Sequence, residues 1–435
     1  MRIVWFLICL FLFVMPQNVA FGKPLSLIRD SEIENYLLTQ TRQLFKTAGL
    51  STSNARVILI NDNTLNAFVV GGTTVFVHTG LLLNATHSDQ ITGVLAHETG
   101  HLMGGHILRS QGAYAKMQST TVATTLLGIL AAMASGRADV GLAVMLGGMN
   151  TAQGFFSAYQ QSEESSADQA ALSLLNKNRI SSVGFLEMMK IIQQQERIEI
   201  DDNISYLRTH PLTKDRITFI ERNKNAYPRQ DDIAFLLAKA KLYAFVSEPN
   251  RTFSTYHDNT DASHYARAIA YFKQTEIQKA LAELDILIKR APSNPYFHEL
   301  KGQILFETGQ IEQAIISYQK AVELLPKDTL IRCALAHALI ETNRPDNDKK
   351  AQKQIDFILA HDAYLPQAWR LQSILYGRAG QTAEADYALA EYFAAIGDTQ
   401  QALDKSERAQ KTLPPDSVKY HKLEQLQNML KREIN

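Results

Sequence analysis

Two histidines and a glutamate form the pentapeptide at residues 97–101, His-Glu-Thr-Gly-His. On an α-helix, residues four apart lie about 40° apart around the axis, so the rings of His97 and His101 can reach the same metal ion. Glu98 is rotated by about 100° to the edge of that site. This spacing is typical of zinc sites in which the glutamate is the general base, and it requires a helix whose histidines face inward.

The residues before the pentapeptide predict this helix. Thr86 is a candidate N-cap with Asp89 three residues later. Apolar residues then recur at helical spacing, at Ile91, Val94, Leu95 and Leu102. His106 lies about 180° from His97 around the same helix and is therefore predicted to face away from the metal.

A second acidic pair supplies candidates for the rest of the metal site. A catalytic zinc ion has three protein ligands and one open position. Residues 155–176 have the period of a helix, and Glu164 and Asp168 share one of its faces. We predict Glu164 as the third ligand and Asp168 as acceptor of the second ring N–H of a zinc-bound histidine. Glu163 is the competing candidate for the third ligand. The residue one helical turn after it is Ala167, whose side chain cannot accept a hydrogen bond from a zinc-bound histidine.

The first 22 residues have the features of a cleavable signal peptide. Arg2 precedes a 13-residue apolar run from Ile3 to Met15, and small residues suited to cleavage follow at 20 and 22. The run is shorter than the roughly 20 residues that cross a bilayer, which favours cleavage over a retained inner-membrane anchor. After cleavage Cys333 is the sole cysteine, which excludes an internal disulfide.

Two apolar arms, residues 121–134 and 140–149, are separated by a polar turn. Each is too short to span a bilayer. They are interpreted as a buried helical hairpin, as a lid over the active-site cleft, or as a surface that meets a membrane or a client protein. The 44 basic and 44 acidic residues give no electrostatic argument for nucleic-acid binding.

The segment before the pentapeptide predicts a helix over residues 30–48, a strand over 56–60 and a hairpin over 66–78 with a Gly-Gly break. An exposed strand of this hairpin would accept an extended peptide as an added strand.

From about residue 264 the chain is predicted to be helical with a period of 34 residues. The period joins Ala280 to Ala314, Pro292 to Pro326 and, after a three-residue slip at 343–347, Ala351 to Ala385. Turn residues recur at Gly309, Gly380 and Gly397. This pattern is the signature of tetratricopeptide repeats, which stack into a solenoid with a concave binding surface.

Several of these residues together resemble one peptidase family. In chain order they are Asn66-Ala67-Phe68, Gly80-Leu81, His97-Glu98-x-x-His101, Glu164-x-x-Ala167-Asp168 and His210-Pro211-Leu212-Thr213-Lys214-Asp215-Arg216-Ile217. The chain is similar over roughly residues 30–225 to the gluzincin peptidases of the CaaX prenyl protease and HtpX type. HtpX-type relatives have membrane spans around the catalytic domain. The two short arms and the repeats therefore make this chain most similar to the soluble periplasmic branch.

The resemblance implies an α+β zincin-type catalytic domain, mostly helical with a small β-sheet, followed by an all-α tetratricopeptide-repeat solenoid. We predict a signal peptide over residues 1–22, the metallopeptidase domain over 23–226, a connecting helix and linker over 227–263, and repeats over 264–435.

In the expected mechanism His97, His101 and Glu164 hold one Zn²⁺ per chain, and Glu98 takes the proton of the attacking water and passes it to the leaving amine. The resemblance places His210 near the metal, where it would stabilise the oxyanion or occupy the fourth zinc position and hold the enzyme inactive. Without the resemblance, a histidine before a proline indicates only extended backbone at a helix start.

The predicted function is a periplasmic zinc endopeptidase that degrades misfolded or stalled envelope and outer-membrane proteins. Its expected partners are unfolded or misassembled polypeptides, outer-membrane assembly machinery bound through the repeats, and a membrane touched peripherally through residues 121–149. The alternative is a chaperone or assembly factor with gated or little proteolysis. A silent scaffold with structural zinc ranks last, because such a protein is expected to lose Glu98 first.

Overall fold

The computed structural model describes residues 26–53, 55–70, 73–105, 161–196, 210, 212–229 and 232–434. These residues form an N-terminal unit that ends at Lys273 and a C-terminal unit that begins at Gln274. The predicted signal peptide, His106 and the apolar arms lie outside the described residues, so those interpretations stay predictions. Within the described ranges, no helix combines the length and the apolar character needed to span a bilayer.

The N-terminal unit contains a small mixed sheet. Its strands are β1 (Leu27–Ile28), β2 (Arg56–Ile60), β3 (Ala67–Val70) and β4 (Thr74–His78), in the order β1-β2-β4-β3. β3 and β4 pair antiparallel, which confirms the predicted hairpin, while β2 runs parallel to β4. The stacked rings of Phe68 and Phe76, with centroids 4.9 Å apart, tie β3 to β4. β3 therefore forms one edge of the described sheet.

The helices of the N-terminal unit are α1 (Ser31–Ala48), α2 (Thr79–Asn84), α3 (Ser88–Met103), α4 (Gln161–Lys177), α5 (Val183–Glu196), α6 (Lys214–Asn223), α7 (Ile233–Val246), α8 (Pro249–Thr255) and α9 (Asp261–Lys273). α1 forms where the sequence predicts it. The Asp30 side chain accepts a hydrogen bond from the N–H of Ile33 at its start, and Gly49 ends it with φ at 74°.

α3 carries the histidine pair through the core, packed against α1, α4 and α5. Its N-terminus is capped differently from the prediction. Oε1 of Gln90, and not a Thr86–Asp89 pair, accepts the backbone N–H groups of Thr86 at 2.6 Å and His87 at 3.3 Å. Asp89 instead forms an ion pair with Arg229, at 2.8 Å between Oδ2 and Nε. Capping by Gln90 leaves the helix start at Ser88.

α9 packs within the N-terminal unit. Tyr265 near its start donates a 2.7 Å hydrogen bond to Glu32, and Lys241 of α7 lies 2.8 Å from Asp30 and 3.6 Å from Glu32. All three of these contacts link α9 and α7 to the beginning of α1. This packing does not decide the predicted domain limits at residues 226 and 263, which stay predictions.

The C-terminal unit consists of α10 (Ile277–Arg290), α11 (Pro295–Glu307), α12 (Ile311–Leu324), α13 (Thr329–Glu341), α14 (Pro345–His361), α15 (Pro366–Arg378), α16 (Thr382–Ala395), α17 (Thr399–Gln410) and α18 (Val418–Ile434). The predicted repeat architecture is confirmed. The turn residues Gly309, Asn343, Gly380 and Gly397 all have positive φ. The predicted slip at 343–347 is accommodated by α14, which has 17 residues where α10 and α12 have 14.

The repeats pack closely where small residues face large ones. A Cβ built at Gly302 of α11 would lie 2.7 Å from Cδ1 of the buried Tyr318, and Gly377 of α15 has nothing within 4 Å of its Cβ position. We expect Gly302→Ala to lower the free energy of unfolding by about 1–3 kcal/mol through overpacking. Gly377→Ala should be neutral, or stabilising by up to about 1 kcal/mol, because alanine is the better helix former.

Urea unfolding of the full chain, followed by far-UV circular dichroism, measures both variants. Equal unfolding midpoints for the two variants would contradict the close packing of Gly302 on Tyr318.

Candidate metal centre

Four side chains from three parts of the chain meet inside the N-terminal unit. His97, His101, Glu164 and His210 each offer one ligand atom, and these atoms all lie within 4.8 Å of one another. The Nε2 atoms of His97 and His101 are 3.1 Å apart. The carboxylate oxygens of Glu164 lie 3.4 and 3.3 Å from them. All four side chains are fully buried, and imidazole nitrogens with a carboxylate oxygen are the donors that zinc prefers.

The distance between α3 and α4 is set by two small residues. A Cβ built at Gly100 would lie 2.8 Å from the carbonyl oxygen of Ala167 and 3.1 Å from Cβ of Ala170. Gly100 is thus a point of close approach between α3 and α4. This contact brings the histidines of α3 within reach of the carboxylates of α4, a role that sequence reasoning assigned to neither residue.

The structure places Glu164, and not Glu163, in the cluster. Asp168 follows one turn later on α4, and its Oδ1 lies 3.0 Å from Nδ1 of His97. When the Nδ1 proton is donated to Asp168, the lone pair of Nε2 is directed at the centre of the cluster. The predicted ligands and Asp168 are therefore brought together in the predicted arrangement.

Glu98 lies beside the ligands with its carboxylate buried. Among the described residues neither of its oxygens has a hydrogen-bond partner. Nε2 of His210 is 3.5 Å from Oε1 of Glu98. A buried carboxylate without a partner is costly for folding, which indicates a site kept for a ligand or a proton.

Arg216 is the residue of the centre that sequence reasoning missed. It lies near the start of α6 and is 2% exposed. Its Nε and Nη2 donate to Asp168 at 2.7 and 2.9 Å, and its Nη1 lies 2.5 Å from Oε2 of Glu164. A signal for it was present: Arg216 shares a helix face with the buried Ile220, and a buried guanidinium requires anionic partners.

Residues 31–224, which include every side chain of this centre, match the family model described as peptidase family M48. Residues 265–329 match a tetratricopeptide repeat model. The chain carries an M48 peptidase domain followed by tetratricopeptide repeats. The family resemblance and the fold class predicted from the motifs are therefore confirmed.

Several relatives that this chain matches are named as proteases. It is 23% identical over 389 residues to the beta-barrel assembly-enhancing protease of Yersinia pestis, covering 87% of this chain and 79% of that protein. It is 26% identical over 332 residues to the Escherichia coli K12 protein of that name, covering 73% and 67%. The mitochondrial metalloendopeptidase OMA1 of Schizosaccharomyces pombe is 26% identical over 186 residues, covering 43% and 51%. The M48 domain and these relatives confirm the prediction of a zinc metalloprotease.

The pKa shifts of Glu164 and His101 suit metal binding. Burial alone would raise the pKa of Glu164, but His210 and His101 outweigh it and hold this pKa well below its usual range. Burial lowers the pKa of His101. Burial also opposes a charge on His97, yet the carboxylates of Asp168 and Glu164 raise its pKa to about 9. A charged Glu164 and a neutral His101 are the forms that coordinate a metal ion, whereas His97 must release a proton when a metal ion binds.

The pKa of Glu98 shifts in the opposite direction from that of Glu164. Burial raises its pKa, although the neighbouring His210 and His97 lower it in part. A carboxylate whose pKa is raised binds a proton more strongly and can return it to a leaving group, as a general base must. The M48 domain thus presents one carboxylate suited to a metal and one suited to proton transfer.

Because α3 and α4 touch at Gly100, we expect Gly100→Ala to separate the histidines from Glu164 and to weaken zinc binding by about 10-fold or more. Competition with a chromophoric chelator measures the affinity. Gly184→Ala is the matched control, since its Cβ would clash with Asp89 at the far end of α3, 2.4 Å from Cγ. That variant should lose stability but keep its zinc affinity. Equal affinities of Gly100→Ala and wild type would contradict the role of this contact.

Proposed function

We propose that this protein is a zinc-dependent endopeptidase of the bacterial periplasm that degrades misfolded or stalled envelope and outer-membrane proteins. The observation that carries the proposal is the buried centre in which Glu98, without a hydrogen-bond partner among the described residues, lies beside four candidate ligands. His97, His101 and Glu164 would hold the metal, as their convergent nitrogen and oxygen atoms permit. Bound zinc supplies Lewis acidity, which polarises a carbonyl and lowers the pKa of a coordinated water to about 7.

The residues of the chain supply the proton transfers and the orientation. Glu98 accepts the proton of the attacking water and donates it to the leaving amine. Asp168 holds the ring of His97 in one tautomer through Nδ1. The dry surroundings strengthen each of these interactions, because the side chains of the centre are almost fully buried.

The position of His210 is compatible with two roles. Its Nδ1 lies 3.0 Å from Oε1 of Glu164 and its Nε2 lies 3.5 Å from Glu98. In this position it would donate a hydrogen bond to the oxyanion of the substrate, or it would act as a fourth ligand and close the site. The second role would make proteolysis gated.

Substrate binding is proposed at β3, next to α3. The carbonyl of Asn66 accepts a 2.9 Å hydrogen bond from the N–H of His78, and Phe68 pairs with Phe76. In an antiparallel pair, the alternate residues Ala67 and Val69 therefore direct their backbone groups away from β4. An extended polypeptide would add there as a strand, through main-chain bonds that are independent of its sequence. The side-chain amide of Asn66 is buried and has no hydrogen-bond partner in the described ranges, which suits it to the same ligand.

The location and the client proteins are part of the same proposal. The predicted signal peptide supports export to the periplasm. The relatives named beta-barrel assembly-enhancing protease support a role in outer-membrane protein assembly. Tetratricopeptide repeats bind polypeptides on their concave surface, so we assign the repeats to clients or assembly machinery.

A chaperone or assembly factor with little proteolysis is the second candidate function. The observation that favours it is His210, whose ring already lies among the ligand atoms. In that case the repeats and β3 would hold unfolded chains, and cleavage would be rare.

The first test compares zinc content and casein hydrolysis for the chain from Lys23 onward with Glu98→Gln and His210→Ala. Glu98→Gln should keep one zinc per chain and lower kcat by at least about 10²-fold, because it removes the base alone. Faster cleavage by His210→Ala would show an inhibitory ligand, and slower cleavage would show an oxyanion donor.

The chaperone function would replace the protease if the wild type binds zinc yet cleaves nothing. Glu98→Gln and the wild type would then suppress aggregation of an unfolded outer-membrane protein equally.

The strand-addition model predicts the effect of Val69→Pro. Proline removes the N–H that points away from β4 and leaves the β3–β4 ladder intact, so we expect KM for an extended peptide to rise about 3- to 10-fold. Val69→Ala truncates the same buried side chain but keeps the N–H, and its KM should stay near that of the wild type. Equal KM values for the two variants, at equal zinc content, would exclude β3 as the binding strand.

A further inference from the structure

Arg216 contacts two carboxylates of the metal centre with one guanidinium. Two of its N–H groups form a fork on Asp168, and a third lies 2.5 Å from Glu164. Its backbone N–H is donated at 3.3 Å to Oγ1 of Thr213, the N-cap of α6. The side chain is buried and anchored at both ends, so it has little freedom to leave these partners.

The two oxygens of Glu164 are thereby given different surroundings. Oε2 lies 2.5 Å from Nη1 of Arg216 and 3.4 Å from Nε2 of His97, whereas Oε1 lies 3.0 Å from Nδ1 of His210 and 3.3 Å from Nε2 of His101. An oxygen that is ion-paired to a guanidinium at this distance has less negative charge to offer a metal ion. Oε1 faces His101 and His210 and is therefore the oxygen more available to a metal ion.

The same guanidinium acts on His97 through Asp168. Oδ1 of Asp168 accepts from Nη2 of Arg216 at 2.9 Å and lies 3.0 Å from Nδ1 of His97. Two of the three predicted ligands are therefore oriented by one residue that is not itself a ligand.

We propose that Arg216 is a positioning residue that limits Glu164 to one-oxygen coordination and so keeps a coordination position open for substrate. The proposal rests on the proposed metal site. Without the arginine, Glu164 would turn both oxygens to the metal and fill that position. Arg216 acts through its contacts with Glu164 and Asp168 and is not itself one of the candidate ligands.

The test uses Co²⁺ in place of zinc in the full chain, because the visible absorption of Co²⁺ falls several-fold when four ligands become five or six. We expect Arg216→Met to show this fall. Arg216→Lys keeps the charge that the buried carboxylates need but lacks the fork, so it should fold and show an intermediate spectrum. If Arg216→Met does not fold, the spectrum of Arg216→Lys alone tests the proposal.

Arg229→Met is the matched control. Arg229 also joins two carboxylates, with Nε 2.8 Å from Asp89 and Nη2 2.5 Å from Glu187, but it lies at the other end of α3. Its loss should lower stability and leave the cobalt spectrum unchanged. Each variant is also measured in a His210→Ala background. Otherwise the gain of a second Glu164 oxygen could be masked by the loss of His210 from the metal, which would leave the number of ligands unchanged.

The outcomes distinguish the existence of the metal site from the positioning role of Arg216. A wild-type chain that binds no Co²⁺ would overturn the metal site itself. A wild-type chain that binds one Co²⁺, with the same spectrum in Arg216→Met and Arg216→Lys, would overturn the positioning role alone. A spectral change that appears equally in Arg229→Met would reduce Arg216 to a residue of structural stability.

Discussion

The metal centre depends on the contact between α3 and α4 at Gly100. The close approach at Ala167 puts two histidines of one helix opposite two carboxylates of the other. Any side chain at residue 100 would widen this gap, and metal–ligand bonds of about 2 Å tolerate little displacement. The pentapeptide therefore contains a packing residue as well as its ligands and its base, and the two requirements fall on adjacent positions of the same helix.

Burying this many ionisable groups requires that their charges balance. Glu98, Glu164 and Asp168 are three carboxylates in a region without solvent. Arg216 provides one positive charge, and a divalent cation would provide the other two. The centre is then neutral as a whole, which allows all three carboxylates to be ionised at low cost. The same count explains why Arg216 is buried although it is not one of the candidate ligands.

Sequence reasoning found the features that repeat or that have fixed spacing. The histidine pair, Glu164 with Asp168, the hairpin and the 34-residue period all depend on residues close together in the chain, and the structure places them as expected. It missed Gly100 and Arg216 because their partners, Ala167 and the carboxylates of α4, lie about 50 to 70 residues away. It also assigned the cap of α3 to Thr86, whereas the side chain of Gln90 reaches back to the backbone N–H groups of Thr86 and His87.

His210 and Arg216 give the centre two different kinds of neighbour from one short segment. Arg216 is held by a fork of charge-assisted bonds and by the cap of α6, whereas His210 lies 3.0 Å from Glu164 and 3.5 Å from Glu98. Arg216 is therefore held more firmly in place than His210. If His210 were withdrawn, Arg216 would still orient Glu164, so the position of the third predicted ligand does not depend on the histidine.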